Sequence, residues 1–346
     1  MAVLASSIKS FTKRLFSSKE SFNHLLAPIK INDLKWYSES DIPAEIPLID
    51  LKSMTQNEQI SGFKQAFETS HCVYIKNHLI SNKEMENLVN ATRIFFNQSE
   101  EIKNKIVHPY KGIMRGYNGF GQEKSSNILH IKDEHQGDSH ISYCWGPKDN
   151  VYPDIKFQKI WSNYYKKSLR LSKSIAELAI KSAGMENVIG WNNLKAGDHL
   201  LKIQEYIALG YKAKQNYRLF PHADFDFLTL LTQLPAENGF IGLQVKIGDK
   251  FINAPAVKGT IIINFGEAMQ SLSGGKVKTV VHSVISPEED KYNGSSRTSI
   301  PFFLQPHPKT KITKTEGSFY SDYYNEKSTW EYADFHSRLL GEFYKH

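Results

Sequence analysis

The chain has 346 residues, 40% of them hydrophobic and 23% charged, enough to bury a large core as one big domain or two small ones. Only two cysteines are present, Cys72 and Cys144, which argues against a disulfide scaffold and a cysteine-based zinc site and fits a reducing compartment. Of the net charge of +7, Lys9, Lys13, Arg14 and Lys19 carry +4 with no acid among residues 1–19, and the +3 left over is too mild for a nucleic-acid footprint, although a small anionic substrate needs only one or two placed cations.

Residues 1–19 stand apart. Leu4, Ile8, Phe11 and Leu15 share a helical stripe with Lys9 and Lys13 away from it, and the segment is serine-rich and acid-free, as in mitochondrial transit peptides. Arg14-Leu15-Phe16 before Ser17 resembles a matrix-processing site. The alternatives are a mitochondrial address and a frayed basic end in a cytoplasmic protein. No apolar run approaches bilayer length, so no membrane span is expected.

Ile46–Asp50 reads as a first strand, Ile60, Phe63 and Phe67 as a helix, and Cys72–Lys76 as a second strand. Ser81 with Glu84 makes a capping box before Met85, Leu88 and Phe95. Lys105 to Pro153 is irregular: a functional loop, or short strands. Its histidines, His108, His130, His135 and His140, have no regular spacing and read as exposed loop residues. A long helix through Phe157, Trp161, Leu171 and Leu178 ends at Gly184. Short strands follow at Leu200–Tyr206, Phe220 onward, Leu243–Ile247, Phe251–Ala254, Thr260–Phe265, Val277–Ile285 and Thr298–Leu304, a sandwich or barrel pattern. A last helix, capped by Ser328 and Glu331, carries the stripe Phe335, Leu339 and Phe343.

The stretch Phe220–Leu231 reads as one strand, on which His222 and Asp224 point the same way. Alone the pair means little, since chance predicts about one or two His-x-acid pairs in this composition. Two histidines and a carboxylate with open positions beyond them are the ligand set of non-haem Fe(II) oxygenases. His282 lies 58 residues after Asp224, far enough for several short strands to return the chain beside His222. Arg297 and Ser299 then share a face of another strand, where a guanidinium fork and a hydroxyl suit a carboxylate.

This ordered set resembles the isopenicillin-N-synthase-like branch of the Fe(II)- and 2-oxoglutarate-dependent dioxygenases. The resemblance runs over most of residues 45–306. It includes Ile46-Pro47-Leu48-Ile49-Asp50, Asn77-His78, Arg115-Gly116-Tyr117, Gly242-Leu243-Gln244-Val245, Asn264-Phe265-Gly266-Glu267, and Arg297 through Phe303. It implies a mainly β chain with a double-stranded β-helix (jelly-roll, cupin-like) core and flanking helices. The implied regions are 45–185 as the N-terminal part, 197–306 as the oxygenase core, and 307–346 as a tail with a helix.

By motif position, His222, Asp224 and His282 become iron ligands, and Arg297, Ser299 and Tyr206 become partners of 2-oxoglutarate. Gln204, where relatives often carry Asn, is a weaker candidate. The implied cofactors are Fe(II), 2-oxoglutarate and O2, with ascorbate stimulatory. The implied reaction hydroxylates or desaturates a small molecule, releasing succinate and CO2. The alternatives are a 2-oxoglutarate-independent oxidase of the isopenicillin N synthase type and a non-catalytic metal-binding jelly roll. Asp226 stands where relatives commonly have Gly; it either faces the barrel mouth or points to solvent at a strand bend, and solvent is the reading taken. Ser283 replaces a frequent Arg, and the segment between His282 and Arg297 is longer than usual. Phe225, Phe227, Phe302 and Phe303 read as core, with one or two lining the pocket.

Overall fold

Thr260–Phe265 illustrates how the sequence builds the core. Ile261, Ile263 and Phe265 point to one side, into a large cluster with the helices, while Ile262 and Asn264 point to the other. That alternation is the two-residue period of a strand buried on both faces. The computed structural model describes residues 26–108, 114–128, 130, 137–207, 216–288 and 293–344. The basic segment 1–19, His135 and residues 289–292 of the long loop before Arg297 lie outside the described residues.

The strands in chain order are β1 (Leu48–Asp50), β2 (Cys72–Lys76), β3 (Gly116–Asn118), β4 (His140–Trp145), β5 (Leu200–Tyr206), β6 (Tyr217–His222) and β7 (Leu228–Gln233). After these come β8 (Leu243–Ile247), β9 (Lys250–Asn253), β10 (Thr260–Phe265), β11 (His282–Ile285), β12 (Arg297–Leu304), β13 (Lys311–Thr313) and β14 (Thr329–Glu331). An eight-stranded sheet runs β1-β2-β10-β7-β12-β5-β4-β3, and a four-stranded sheet runs β6-β11-β8-β9. All pairs are antiparallel except β1 with β2. The two sheets enclose a shared cavity, the arrangement of a double-stranded β-helix.

Three long helices, α1 (Gln56–Glu68), α2 (Asn82–Phe96) and α3 (Ile155–Ala183), cover the outer face of the large sheet, where Phe63, Leu88 and Trp161 pack with Val73, Tyr143 and Ile203. Ser81 and Glu84 form the expected capping box at the start of α2, and α3 ends on Gly184 at φ 66°. A fourth, α4 (Tyr332–Phe343), buries Phe335 and Leu339 and brings His336, Leu340 and Phe343 to the cavity. No helix among the described residues is long and apolar enough to cross a membrane.

Four local expectations change. The single strand Phe220–Leu231 is two strands in different sheets, because the chain turns at residues 223–227 and crosses from β6 to β7. Val277–Ile285 is regular only from His282, although Val280 and Val281 still join Phe265 and Lys246 through irregular backbone hydrogen bonds. Ser328 and Glu331 do not cap α4: Thr329–Glu331 pairs with β13, and Glu331 makes no side-chain cap. The irregular region 105–153 contains β3, β4 and a short helix at Ser125–Ile128, and His140 lies buried on β4 rather than in an exposed loop.

Candidate metal centre and co-substrate pocket

His222 ends β6 and pairs directly with His282 at the start of β11, so the ladder register alone sets the two rings 4.2 Å apart. Asp224 lies two residues beyond β6, in the turn. Its carbonyl and that of Asp226 accept hydrogen bonds from Glu267 N (2.9 Å) and Ala268 N (3.1 Å), the first turn of a short helix whose amides otherwise lack partners. Gly266 lets that helix approach, because a Cβ there would sit 2.2 Å from the Asp226 carbonyl oxygen. The result differs from the expected geometry in cause but not in outcome: Asp224 reaches the histidines from a pinned turn, not from the face of a continuous strand.

One ligand atom each from His222, Asp224 and His282 lies within 4.8 Å of the others, and His282 Nε2 is 3.8 Å from Asp224 Oδ1. His222 Nδ1 faces the Phe220 carbonyl at 2.8 Å and His282 Nδ1 the Val280 carbonyl at 3.2 Å. Carbonyls only accept, so each Nδ1 carries a proton, and Nε2 is the nitrogen left to meet a metal. Burial, then the neighbouring His282, keeps His222 in its neutral form well below the usual imidazole range. Two imidazoles and one carboxylate gathered at one point suit a divalent first-row metal with open positions.

Asp226 is buried and lines the cavity, which corrects the solvent reading. Burial, then the charge of Asp224, pushes its carboxyl well above the usual range. Thr229 stands between the two acids. Its hydroxyl donates to Asp224 Oδ2 at 2.5 Å and lies 3.2 Å from Asp226 Oδ2. One hydroxyl thus ties the Asp224 carboxylate to the neighbouring Asp226 and fixes its position. Thr229→Val keeps the shape and removes that tie. Metal affinity is expected to fall about 10–100-fold, as for other groups that orient a ligand. Competition with a chromogenic chelator checks this, and an unchanged affinity would contradict it.

Ser299 lines the cavity from β12, and Arg297, two residues before it, is buried beside it. Arg297 Nη2 donates to Gln233 Oε1 (2.9 Å) and Ser299 Oγ (3.0 Å), and the guanidinium carbon lies 5.3 Å from the Tyr206 ring centre. Gln233 is itself oriented, its amide donating to the Ala254 and Pro255 carbonyls. Arg297 Nη1 has no partner among the described residues although it is buried. Tyr206 pairs opposite Arg297 in the β5–β12 ladder. Behind them Arg93 grips Glu205 at 2.7 and 3.1 Å and Thr298 at 3.1 Å, which locks that register.

The cavity, about 110 Å³, takes in His222, Asp224, His282, Tyr206, Gln204 and Ser299. Phe225 and Phe303 line it, whereas Phe227 and Phe302 belong to the core. Sequence reasoning does not single out Thr229, Gln233, Lys202 or Glu123. Gln233 is within its reach, since it pairs with Ser299 across β7 and β12; the others carry no spacing signal.

Comparison with known proteins agrees with this geometry. Residues 198–306 match the family model of the 2OG-Fe(II) oxygenase superfamily, and residues 46–162 match that of the N-terminal region of non-haem dioxygenase in morphine synthesis. The chain is 28% identical to deacetoxycephalosporin C synthase of Amycolatopsis lactamdurans, over 76% of this chain and 85% of that one. It is likewise 28% identical to an alpha-ketoglutarate dependent kainoid synthase of Pseudo-nitzschia multiseries, over 81% and 77%. Among solved structures, a full-length Neurospora crassa protein crystallised in complex with alpha-KG shares the fold with a TM-score of 0.68 at 23% identity, covering 88% of this chain and 98% of that one. With its fold, its metal-binding constellation and these matches in agreement, the chain belongs to the isopenicillin-N-synthase-like Fe(II)/2-oxoglutarate-dependent oxygenases, oxidoreductases that use Fe(II), 2-oxoglutarate and O2.

Proposed function

We propose that His222, Asp224 and His282 hold the ferrous ion, that Arg297 with Ser299 and Tyr206 holds the far carboxylate of 2-oxoglutarate, and that the cavity oxidises a largely apolar small molecule. The observation that carries the reading is a buried guanidinium with an unpartnered Nη1, hydrogen-bonded to Ser299, which lines the same cavity as a three-ligand cluster. A buried charge without an anion is costly, and a dicarboxylate reaching from the metal would supply one.

When bound, Fe(II) with 2-oxoglutarate and O2 supplies the oxidising power, and the co-substrate leaves as succinate and CO2. This chain's residues do the rest. His222, Asp224 and His282 would hold the ion. Arg297 and Ser299 orient the co-substrate by its far end. Leu219, Leu243, Val284, Phe225 and Phe303 keep water out and guide the substrate. A 2-oxoglutarate-independent oxidase is not favoured, given relatives described as alpha-ketoglutarate dependent. Whether the substrate is hydroxylated, desaturated or cyclised is a property of its own shape in the cavity.

The test is incubation of the protein with Fe(II), ascorbate, 2-oxoglutarate and a metabolite extract, with succinate and a substrate mass change as readouts. Succinate formation that requires Fe(II) and rises with one extract fraction is expected; none in any fraction would refute the reading. We also read residues 1–19 as a mitochondrial address, on the strength of their charge pattern. Fused to a fluorescent reporter, they should direct it to mitochondria, and a diffuse reporter would dismiss the reading.

A further inference from the structure

Outside the metal cluster and the Arg297 pocket, one charged group among the described residues lines the catalytic cavity without a role. Lys202 is only 3% exposed and sits on β5 with Leu200, Gln204 and Tyr206 on the cavity face, while Leu201 and Ile203 face the helices. Its ammonium donates to Glu123 Oε2 at 2.6 Å, the one acceptor it has among the described residues. An ammonium has three donors, so this leaves two to fill.

Glu123 is differently placed. It does not line the cavity, and it accepts further hydrogen bonds from Ser142 (3.2 Å) and Tyr344 (3.3 Å), with His140 Nε2 at 3.1 Å. Burial works against its ionisation, yet the Lys202 ammonium and His140 hold the carboxyl well below the usual range. The carboxylate is thus satisfied from several sides and the ammonium from one. The pair turns its positive end toward the cavity.

Register separates Lys202 from the co-substrate's far end. Tyr206 lies opposite Arg297, and Lys202 is four residues further along β5, roughly 13 Å at the rise of a strand. The cavity that the lysine faces is largely apolar, with Leu219, Leu243, Val284, Phe303, Leu340 and Phe343 in its lining. A molecule fitting there needs an oily body and one strong hydrogen-bond acceptor.

Resting on the oxygenase reading above, we propose that Lys202 is a substrate-anchoring residue that takes a carboxylate on an otherwise apolar substrate, with Glu123 holding the ammonium in place. No bond is made or broken at Lys202; the group orients the substrate with its apolar body toward the metal.

The test uses three matched probes: 3-phenylpropionate, its primary amide, and 3-phenylpropylamine. Each is titrated anaerobically into full-length protein loaded with Fe(II) and 2-oxoglutarate. Calorimetry and the change in the visible absorption of the loaded centre report binding. The acid is expected to bind at least 10-fold more tightly than the amide, and the amine not at all. Lys202→Met should abolish the preference for the acid, and Lys202→Arg should retain most of it.

Equal affinity for acid and amide, or a preference that survives in Lys202→Met, would overturn the proposal, as would a wild-type protein that binds none of the probes. So would a Lys202→Met protein whose deficit lies in 2-oxoglutarate binding, since the lysine would then serve the co-substrate. If Lys202→Met does not fold, a Lys202→Arg protein without acid preference overturns it equally. Fe(II)-dependent succinate formation by the wild-type protein is scored separately, so a failed anchor and a failed oxygenase reading give different results.

Discussion

Asp224→Ala is expected to lose more than about 100-fold in Fe(II) affinity and to make no detectable succinate. Groups that merely orient a ligand are worth 10–100-fold, so removal of the ligand itself must exceed that range. Two imidazoles remain, but both are neutral donors, and the only carboxylate among the three ligand residues is gone. The nearby acid cannot substitute, because Asp226 is held by the Thr229 hydroxyl, and burial, the larger cause of its raised carboxyl pKa, persists in the variant. Asp224→Ala also leaves the apo protein folded, since it removes one of two buried carboxyls facing a single hydroxyl. Metal content by plasma mass spectrometry, succinate yield and a thermal melt are the three measurements. A variant with wild-type succinate yield would remove Asp224 from the site, and a variant that no longer folds would show the acid to be structural.

Much of this site is legible in the sequence, for reasons that differ from residue to residue. Arg297 and Ser299 lie two apart on one regular strand, so spacing alone predicts that they share a face, and His282 opens another strand as its β-branched surroundings suggest. His222 and Asp224 are found by the same rule, but for Asp224 the rule does not apply. It follows the end of β6, and its position depends on amides from Glu267 and Ala268, more than forty residues downstream. No local pattern encodes that contact. Asp226 fails for the same cause: at a bend in a continuous strand it would point outward, but in the turn it is folded inward onto Thr229. His140 reads as a loop residue because β4, flanked by polar segments, is recognisable only through its pairing with β5. Buried cations such as Lys202 and Arg93 are invisible to hydrophobic patterning, which counts them as surface. The outer helices, by contrast, carry both periodicity and caps, and Ser81–Glu84 and Gly184 mark ends that the structure keeps.

Arg297→Leu separates binding of the co-substrate from stability of the fold. In the wild-type protein the guanidinium is buried against Gln233, Ser299 and the Tyr206 ring, with Nη1 unpartnered and no carboxylate paired with it among the described residues. Leucine removes an uncompensated buried charge, which favours the apo fold, and leaves Gln233 Oε1 without its donor, which costs about 1–3 kcal/mol. The two effects oppose each other, so the apo melting temperature should move little. Co-substrate binding should move a great deal. Truncating one side of a buried charge pair costs about 2–5 kcal/mol, so 2-oxoglutarate affinity is expected to drop at least roughly 30-fold. Linkage turns that into a melt: at 100 times its dissociation constant a ligand stabilises by about 2.7 kcal/mol, and the same concentration should do almost nothing for the variant. Metal affinity, set at the other end of the cavity, should be retained. An Arg297→Leu protein that 2-oxoglutarate still stabilises as strongly as wild type would mean that the co-substrate's far carboxylate lies elsewhere, even if the metal cluster is correctly assigned.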